Sequence, residues 1–194
     1  MQKKGKSKTR GMPKPMWYKQ DPSDERQLIL KNGTRIRKSF DDVGLYCTRG
    51  GKVYALSKYG LLPRTIQFLK KNNYGKKTAN GVCNGQRYPY VIFRDKKYDV
   101  HLLVALAWIG VRKEGEEIDH INGNIDDCRM VNLRIVTKEE NRRRAKILRR
   151  LRHAARALHD PSLDPRNIEP QRLEQIFATL TVEDYLSRGK KRAG

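Results

Sequence analysis

The chain has 194 residues, and its 43 lysines and arginines against 21 aspartates and glutamates give a formal net charge of +22 and a pI of about 10.2. A hydrophobic fraction of 37% with a mean hydropathy of −0.83 indicates a modest core, and the longest apolar run, Leu102–Gly110, is too short to span a membrane. The charge favours a polyanionic partner, because neutralised phosphates release condensed counterions, but it does not distinguish DNA from RNA.

The three cysteines, Cys47, Cys83 and Cys128, are far apart and form no Cys-x-x-Cys pair, so we expect no structural zinc. The basic N-terminus lacks the apolar stretch of a secretory signal. We therefore expect a cytoplasmic protein that is associated with DNA or the nucleoid and has no membrane partner.

Two segments precede the most informative part of the chain. Residues 1–25 are expected to form a basic flexible arm, which could follow phosphates or serve only as a solubilising tail. Residues 26–86 are predicted to form a small accessory module of short β-strands interrupted by glycines, with a helix over 62–70 and a loop over 72–86.

A hairpin and an apolar helix are predicted next. Residues 87–100 contain two β-prone stretches around an Arg-Asp pair, which predicts two strands joined by a tight turn. Residues 100–109 are almost wholly apolar, which predicts a buried helix with Trp108 in the core. His101 opens this helix, and a packed or capping role is favoured over a direct catalytic one.

The following segment predicts the order strand, loop, strand, helix. Residues 117–120 can close a strand, an Asn-Gly pair marks a turn after it, and residues 133–136 have the pattern of the returning strand. Thr137 and Glu140 match the capping box at a helix start. Asn141 then falls just after the first helical turn and faces back toward the strand pair.

Asp119, His120 and Asn141 fit the roles that phosphodiester hydrolysis requires, a base that deprotonates water and ligands for a metal cation. A neutral imidazole can accept a proton from water near pH 7, while carboxylate and amide oxygens are suitable ligands for Mg²⁺ or Mn²⁺. Neighbours on a regular strand point to opposite faces, so we expect a bulge or irregular loop that lets Asp119 and His120 share one site. Asp126 and Asp127 could add metal oxygens, although a solvated position or a pair with a nearby arginine is favoured.

With Asn132 added, these residues resemble the HNH endonucleases, specifically the branch that ends in Asn rather than His and occurs in phage and intron-encoded homing enzymes. The resemblance covers residues 87–145. It implies an α+β fold: a ββα-metal (His-Me finger) nuclease core with a small accessory N-terminal module and a helical C-terminal extension. It also implies that His120 is the general base and that Asn132 braces the loop and orients the histidine. Asp119 and Asn141 would bind the divalent metal, Mg²⁺ or Mn²⁺.

A basic helix is predicted over 138–158, where the apolar residues fall on one stripe. A helix that tracks DNA is favoured, and a solvated basic face packed through its leucines is the alternative. Residues 87–158 would form the nuclease domain with this helix, and residues 159–194 a small helical module and basic tail. The residues expected to contact DNA are Arg134, Arg142, Arg143, Arg144, Lys146, Arg149 and Arg150.

The resemblance and the charge together predict a metal-dependent endonuclease that hydrolyses DNA phosphodiester bonds, of the nicking or homing type found in phages and mobile elements. With one site per chain, we expect a monomer on double-stranded DNA. Two other classes remain open: a non-catalytic DNA- or RNA-binding protein that kept the HNH fold, and an RNA or ribosome-associated factor suggested by charge alone.

Overall fold

The computed structural model describes residues 14–39, 44–68, 77–78, 81–82 and 88–179. Strands β1–β8 are Tyr18–Asp21, Asp24–Leu30, Arg35–Lys38, Leu45–Cys47, Val53–Ser57, Gly60–Pro63, Lys77–Thr78 and Gly81–Val82. Strands β9–β12 are Tyr90–Phe93, Lys96–Asp99, Glu116–His120 and Leu133–Thr137, and helices α1–α3 are Val100–Trp108, Lys138–Ala157 and Pro170–Thr179. This is the α+β class that the sequence predicts.

The N-terminal sheet contains β1–β6 in chain order, each strand antiparallel to the next. The sheet closes on itself, because the N–H of Met16 donates to the carbonyl of Leu61 at 2.8 Å and bridges its two edges. Gly33 supplies the left-handed turn between β2 and β3 at a φ of +80°, which glycine adopts without steric cost. Leu28 and Ile36 are buried inside.

The flexible arm expected over 1–25 is wrong for residues 18–25. They lie in β1 and the start of β2, and Gln20 is tied to the hairpin by hydrogen bonds from its side chain to three backbone carbonyls. Pairing with the apolar residues of β2 therefore overrides the polar composition of this stretch. Residues 1–13 lie outside the described residues.

The helix expected over 62–70 is also wrong where the structure describes it. Leu62 and Pro63 complete β6, and Gln67 forms an antiparallel bridge with Tyr90. The backbone of this segment is taken up by neighbouring strands, which prevents the helical hydrogen-bond pattern. Of the loop predicted over 72–86, the structure describes only β7 and β8, which pair with each other.

One core joins the N-terminal sheet to the later elements. Leu45 and Val53 of the sheet pack in the same buried cluster as Val104 of α1 and Leu133 of β12. Trp108 is half-buried against this core, and its indole N–H donates to the carbonyl of Cys47 at 3.1 Å. The core position predicted for Trp108 is confirmed, and the predicted division at residue 86 does not coincide with a division of the core.

The predicted hairpin and apolar helix are confirmed. Strands β9 and β10 pair around Arg94 and Asp95, which both have positive φ, as a two-residue hairpin turn of this hand requires. Helix α1 follows directly and buries the residues that face β4 and the strand pair β11–β12. It thereby fixes His101, at its first turn, beneath β11.

Helix α2 begins and ends as the sequence predicts. The Thr137 hydroxyl accepts from the N–H of Glu140 at 3.2 Å and caps the first turn. At the other end His159 adopts a φ of +50°, and the N–H of Asp160 donates to the carbonyl of Ala155, which closes the last turn.

Helix α3 begins at the predicted Pro170 and is described to Thr179. The expected helix over 182–187 and the basic tail lie outside the described residues. No helix in the described ranges is long and apolar enough to cross a membrane.

Candidate active site

Strand β11 carries Asp119 and His120 without a bulge. Its pairing with β12 is regular, with Asp119 opposite Arg134 and His120 opposite Leu133. The irregular backbone expected at these two residues is therefore wrong. Their side chains leave opposite faces of the strand, both are buried, and each meets a different helix.

The face of β11 toward α2 carries the expected metal ligands. Oδ2 of Asp119 accepts from Nε and Nη2 of Arg134, both at 3.0 Å. Two residues earlier on the same face, Oε2 of Glu117 accepts from the side-chain amide of Asn141 at 2.7 Å. This contact directs the amide nitrogen to Glu117 and leaves Oδ1 of Asn141 without a hydrogen bond among the described residues.

The opposite face places His120 against α1. Its ring stacks on Tyr88 at a centroid distance of 5.7 Å and lies 5.4 Å from the ring of His101. Nε2 of His120 and Nδ1 of His101 are buried without a hydrogen-bond partner in the described part of the chain. Burial lowers the pKa of His120 to about 4 and that of His101 to about 3, so both rings are neutral at pH 7.

Asn132 ties together the loop that connects β11 to β12. Its side chain is fully buried; Oδ1 accepts from the N–H of Asn122 at 3.0 Å, and Nδ2 donates to the carbonyl of Asp127 at 2.8 Å. Its own carbonyl accepts from the N–H of Ile121 at 2.8 Å. These bonds fix the backbone directly after His120, which is the contact pattern that a bracing role requires.

The turn after His120 depends on Gly123. Its φ is +67°, its N–H donates to the carbonyl of His120 at 2.7 Å, and a Cβ at this position would stand 3.1 Å from Cδ1 of Leu148. A side chain here would thus meet both backbone strain and a helix already in contact. The Asn-Gly turn predicted from the sequence is confirmed.

A single cavity of about 800 Å³ reaches both faces of β11 around its end. Asp119, His120 and Asn141 all border it, so the structure brings the three predicted residues to one cavity although two of them leave the strand in opposite directions. Four arginines also border this cavity: Arg112, Arg149, Arg152 and Arg166. The arrangement combines acidic and neutral groups at the strand with a cationic wall.

The basic residues of helix α2 differ in exposure: most face solvent or the cavity, and one is buried in the protein. Leu148 and Leu151 are buried, as the apolar stripe predicts, while five of the expected DNA contacts are exposed or border the cavity: Arg142, Arg143, Lys146, Arg149 and Arg150. The expectation that Arg144 contacts DNA is wrong, because Arg144 is buried and its Nη2 donates to the carbonyl of Ile121 and to Glu174. Arg134 is half-buried and paired with Asp119, so it lies within the site and not on the surface.

Several residues of the site escaped the sequence reasoning. Glu117 could have been found from the period of two along a strand, which places it on the face of Asp119. Arg152 lies three residues after Arg149 on the helix, so its place on the cavity wall follows from helical spacing. His101 was expected to be packed, and it is, but beside His120; only the tertiary structure shows that.

The donor chemistry of the site fits a hard divalent cation. Among the described residues no three His, Cys, Asp or Glu side chains gather as metal ligands. A carboxylate at Asp119 and an amide oxygen at Asn141 nevertheless border one cavity, and oxygen donors of these two kinds are those that Mg²⁺ and Mn²⁺ prefer. Asp127, in contrast, is held by Arg129 at 2.8 Å, and Asp126 is exposed at the cavity edge.

Comparison with known proteins finds a family match over the central part of the chain. The profile of the HNH endonuclease family matches residues 98–143, which include α1, β11, β12 and the start of α2. A solved structure described as DNA binding and cleavage by the HNH homing endonuclease I-HmuI is similar at 21% sequence identity and a TM-score of 0.36. That similarity covers 69% of this chain and 62% of the other. No curated protein matches the chain.

Proposed function

We propose that this chain, which matches the HNH endonuclease family over residues 98–143, is a member of that family and hydrolyses phosphodiester bonds of double-stranded DNA with a divalent metal ion. The observation that carries the proposal is the shared cavity of Asp119, His120 and Asn141. In this proposal β11, β12 and α2 form the ββα-metal unit, and the protein acts as a monomeric nicking or homing-type enzyme of a phage or mobile element.

His120 is the general base in this proposal. Its buried ring is neutral at pH 7, so it can accept a proton from a water molecule that attacks the phosphorus. The ring is held by its contacts with Tyr88 and His101. A base that is fixed by packing needs little reorganisation when the substrate arrives.

Asp119 and Asn141 hold the metal in this proposal, with Mg²⁺ or Mn²⁺ as the ion that suits their oxygens. When bound, such a cation stabilises negative charge on the phosphate and the leaving oxygen. Glu117 keeps the nitrogen of the Asn141 amide turned to itself, so the amide oxygen remains for the cation. Arg134 shares Oδ2 of Asp119 and leaves Oδ1 without a hydrogen bond among the described residues.

The DNA backbone is proposed to follow the cavity-facing side of α2. Asn141, Arg149 and Arg152 all border the cavity, and Arg152 lies about 16 Å along the helix axis from Asn141 at roughly 1.5 Å per residue. That length accommodates more than one phosphate beyond the cleaved bond. The net charge of +22 adds sequence-independent attraction for the duplex.

The proposal is tested on supercoiled plasmid incubated with Mg²⁺, Mn²⁺ or EDTA. The wild type should convert supercoiled to nicked circles with metal and not with EDTA, and His120→Ala should bind DNA without cutting it. His153→Ala is the matched control, because His153 is exposed on α2 and does not border the cavity. Equal cleavage by His120→Ala and His153→Ala would refute His120 as the base.

A non-catalytic DNA-binding protein is the second candidate, and one observation favours it. Oδ2 of Asp119 is already bound by two N–H groups of Arg134, as it would be in a fold that keeps its structure without a metal. Such a protein would shift a pool of duplexes in a metal-independent, salt-sensitive manner and leave the plasmid uncut. Competition with a matched RNA duplex would then show whether DNA or RNA is preferred.

A further inference from the structure

Helix α3 reaches back to the proposed metal ligand Asp119 through two arginines. Oε1 of Glu174 lies 2.5 Å from Nη2 of Arg144 and 3.9 Å from Nη1 of Arg134. Both guanidinium groups also face Oδ2 of Asp119, Arg134 at 3.0 Å and Arg144 at 3.8 Å. Glu174 is thus the outer carboxylate of a charge network in which Asp119 is the inner one.

Helix α3, which carries Glu174, is fixed by the packing of neighbouring residues. Leu173 is fully buried, and the ring of Phe177 lies beneath the guanidinium of Arg144 at 4.8 Å. Helix α3 packs on the turn Met130–Asn132, which contains the residue that braces the active-site loop. The Glu174 side chain is 41% exposed, but it meets the arginines from a helix that is packed against the protein.

We propose that Glu174 is a positioning residue of the metal site, which restrains Arg134 and Arg144 so that Asp119 stays available to a divalent cation. The inference rests on the proposed function, because it assumes that Asp119 binds metal. Two guanidinium groups beside one carboxylate make its surroundings too positive for a cation. Glu174 offsets this charge through its contacts with the same two guanidinium groups.

The position of Arg144 indicates which rearrangement Glu174 prevents. Nε of Arg144 is buried without a hydrogen-bond partner in the described residues, and it stands 3.8 Å from Oδ2 of Asp119. A movement of about 1 Å would turn this separation into a charge-assisted hydrogen bond. Without Glu174, Arg144 would lose its 2.5 Å partner and would be drawn onto Asp119.

The test measures Mn²⁺ binding to the full chain by isothermal titration calorimetry in the absence of DNA. Glu174→Gln should weaken Asp119-dependent binding by about fivefold or more, because one nearby negative charge is lost. Glu169→Gln is the matched control: Glu169 directly precedes the same helix, its side chain is 70% exposed, and among the described residues it pairs only with the distant Arg129 at 3.4 Å. Asp119→Ala should abolish the binding.

Two further variants and a melting curve separate positioning from folding. Glu174→Asp keeps the charge and should bind Mn²⁺ nearly as the wild type does, whereas equal weakening by Asp and Gln at a lowered melting temperature would overturn the positioning role. Wild-type affinity in Glu174→Gln, with binding lost in Asp119→Ala, would also overturn it and leave the proposed function standing. Absence of Asp119-dependent binding in the wild type would instead refute the metal site itself.

Discussion

Replacing Asn132 with alanine should destabilise the fold through the active-site loop. The side chain is fully buried, and the change would leave the N–H of Asn122 and the carbonyl of Asp127 without their partners. Each unsatisfied buried group costs about 1–2 kcal/mol, and the lost volume adds about 1 kcal/mol. Because water can reach the partly buried carbonyl, we expect a loss of about 2–4 kcal/mol in the free energy of unfolding.

Urea unfolding followed by far-UV circular dichroism measures this loss as a shift of the midpoint at constant m-value. Asn124→Ala is the matched control, since Asn124 lies in the same loop and, among the described residues, its side chain accepts a single 3.2 Å bond from the exposed N–H of Asp126. That change should cost less than about 1 kcal/mol. Equal midpoints for the two variants would refute the conclusion that Asn132 holds the loop.

Three other predictions follow from the buried histidines and the basic wall. Because the pKa of His101 falls to about 3 in the folded protein, the unfolded chain alone takes up its proton as the pH drops from 6.5 to 3. The free energy of unfolding should therefore decrease over that window by up to about 1.4 kcal/mol per pH unit, and His101→Phe should flatten urea midpoints measured between pH 7 and 5. Because the pKa of His120 falls to about 4, the rate of plasmid nicking should not change through titration of His120 between pH 8 and 6, and it should fall toward pH 4. A half-maximal rate near pH 6.5 would contradict a buried neutral base. Arg149→Gln and Arg152→Gln should each lower the slope of log binding constant against log salt by about 1, whereas Lys31→Gln, in the exposed turn after β2, should leave it unchanged.

The local features of the site could be predicted because they depend on residues close in sequence. The cap at Thr137, the turn at Gly123 and the strand that carries Asp119 and His120 each follow from a short pattern. Such patterns record hydrogen bonds that the backbone makes within a few residues. The spacing to Asn141 then follows from the geometry of one strand pair and one helix.

The remaining features depend on contacts between distant parts of the chain. Arg143 and Arg144 are adjacent and alike in sequence, yet one is exposed and the other buried, because α3 and Phe177 cover only one side of α2. The regular pairing at Asp119 could not be foreseen either, since the cavity curves around the strand end and makes a bulge unnecessary. Neither the burial of Arg144 nor the regular pairing at Asp119 can be predicted from the residues next to it in sequence.

The core shared by Leu45, Val53 and Val104 limits how this protein could be recombined. A chimera that exchanges the N-terminal sheet for an unrelated module would expose the inner face of α1, and with it the support beneath His101. A replacement module must therefore present apolar residues that match those of α1 where the two pack together. The sheet and the candidate site therefore depend on one core and would have to be exchanged together.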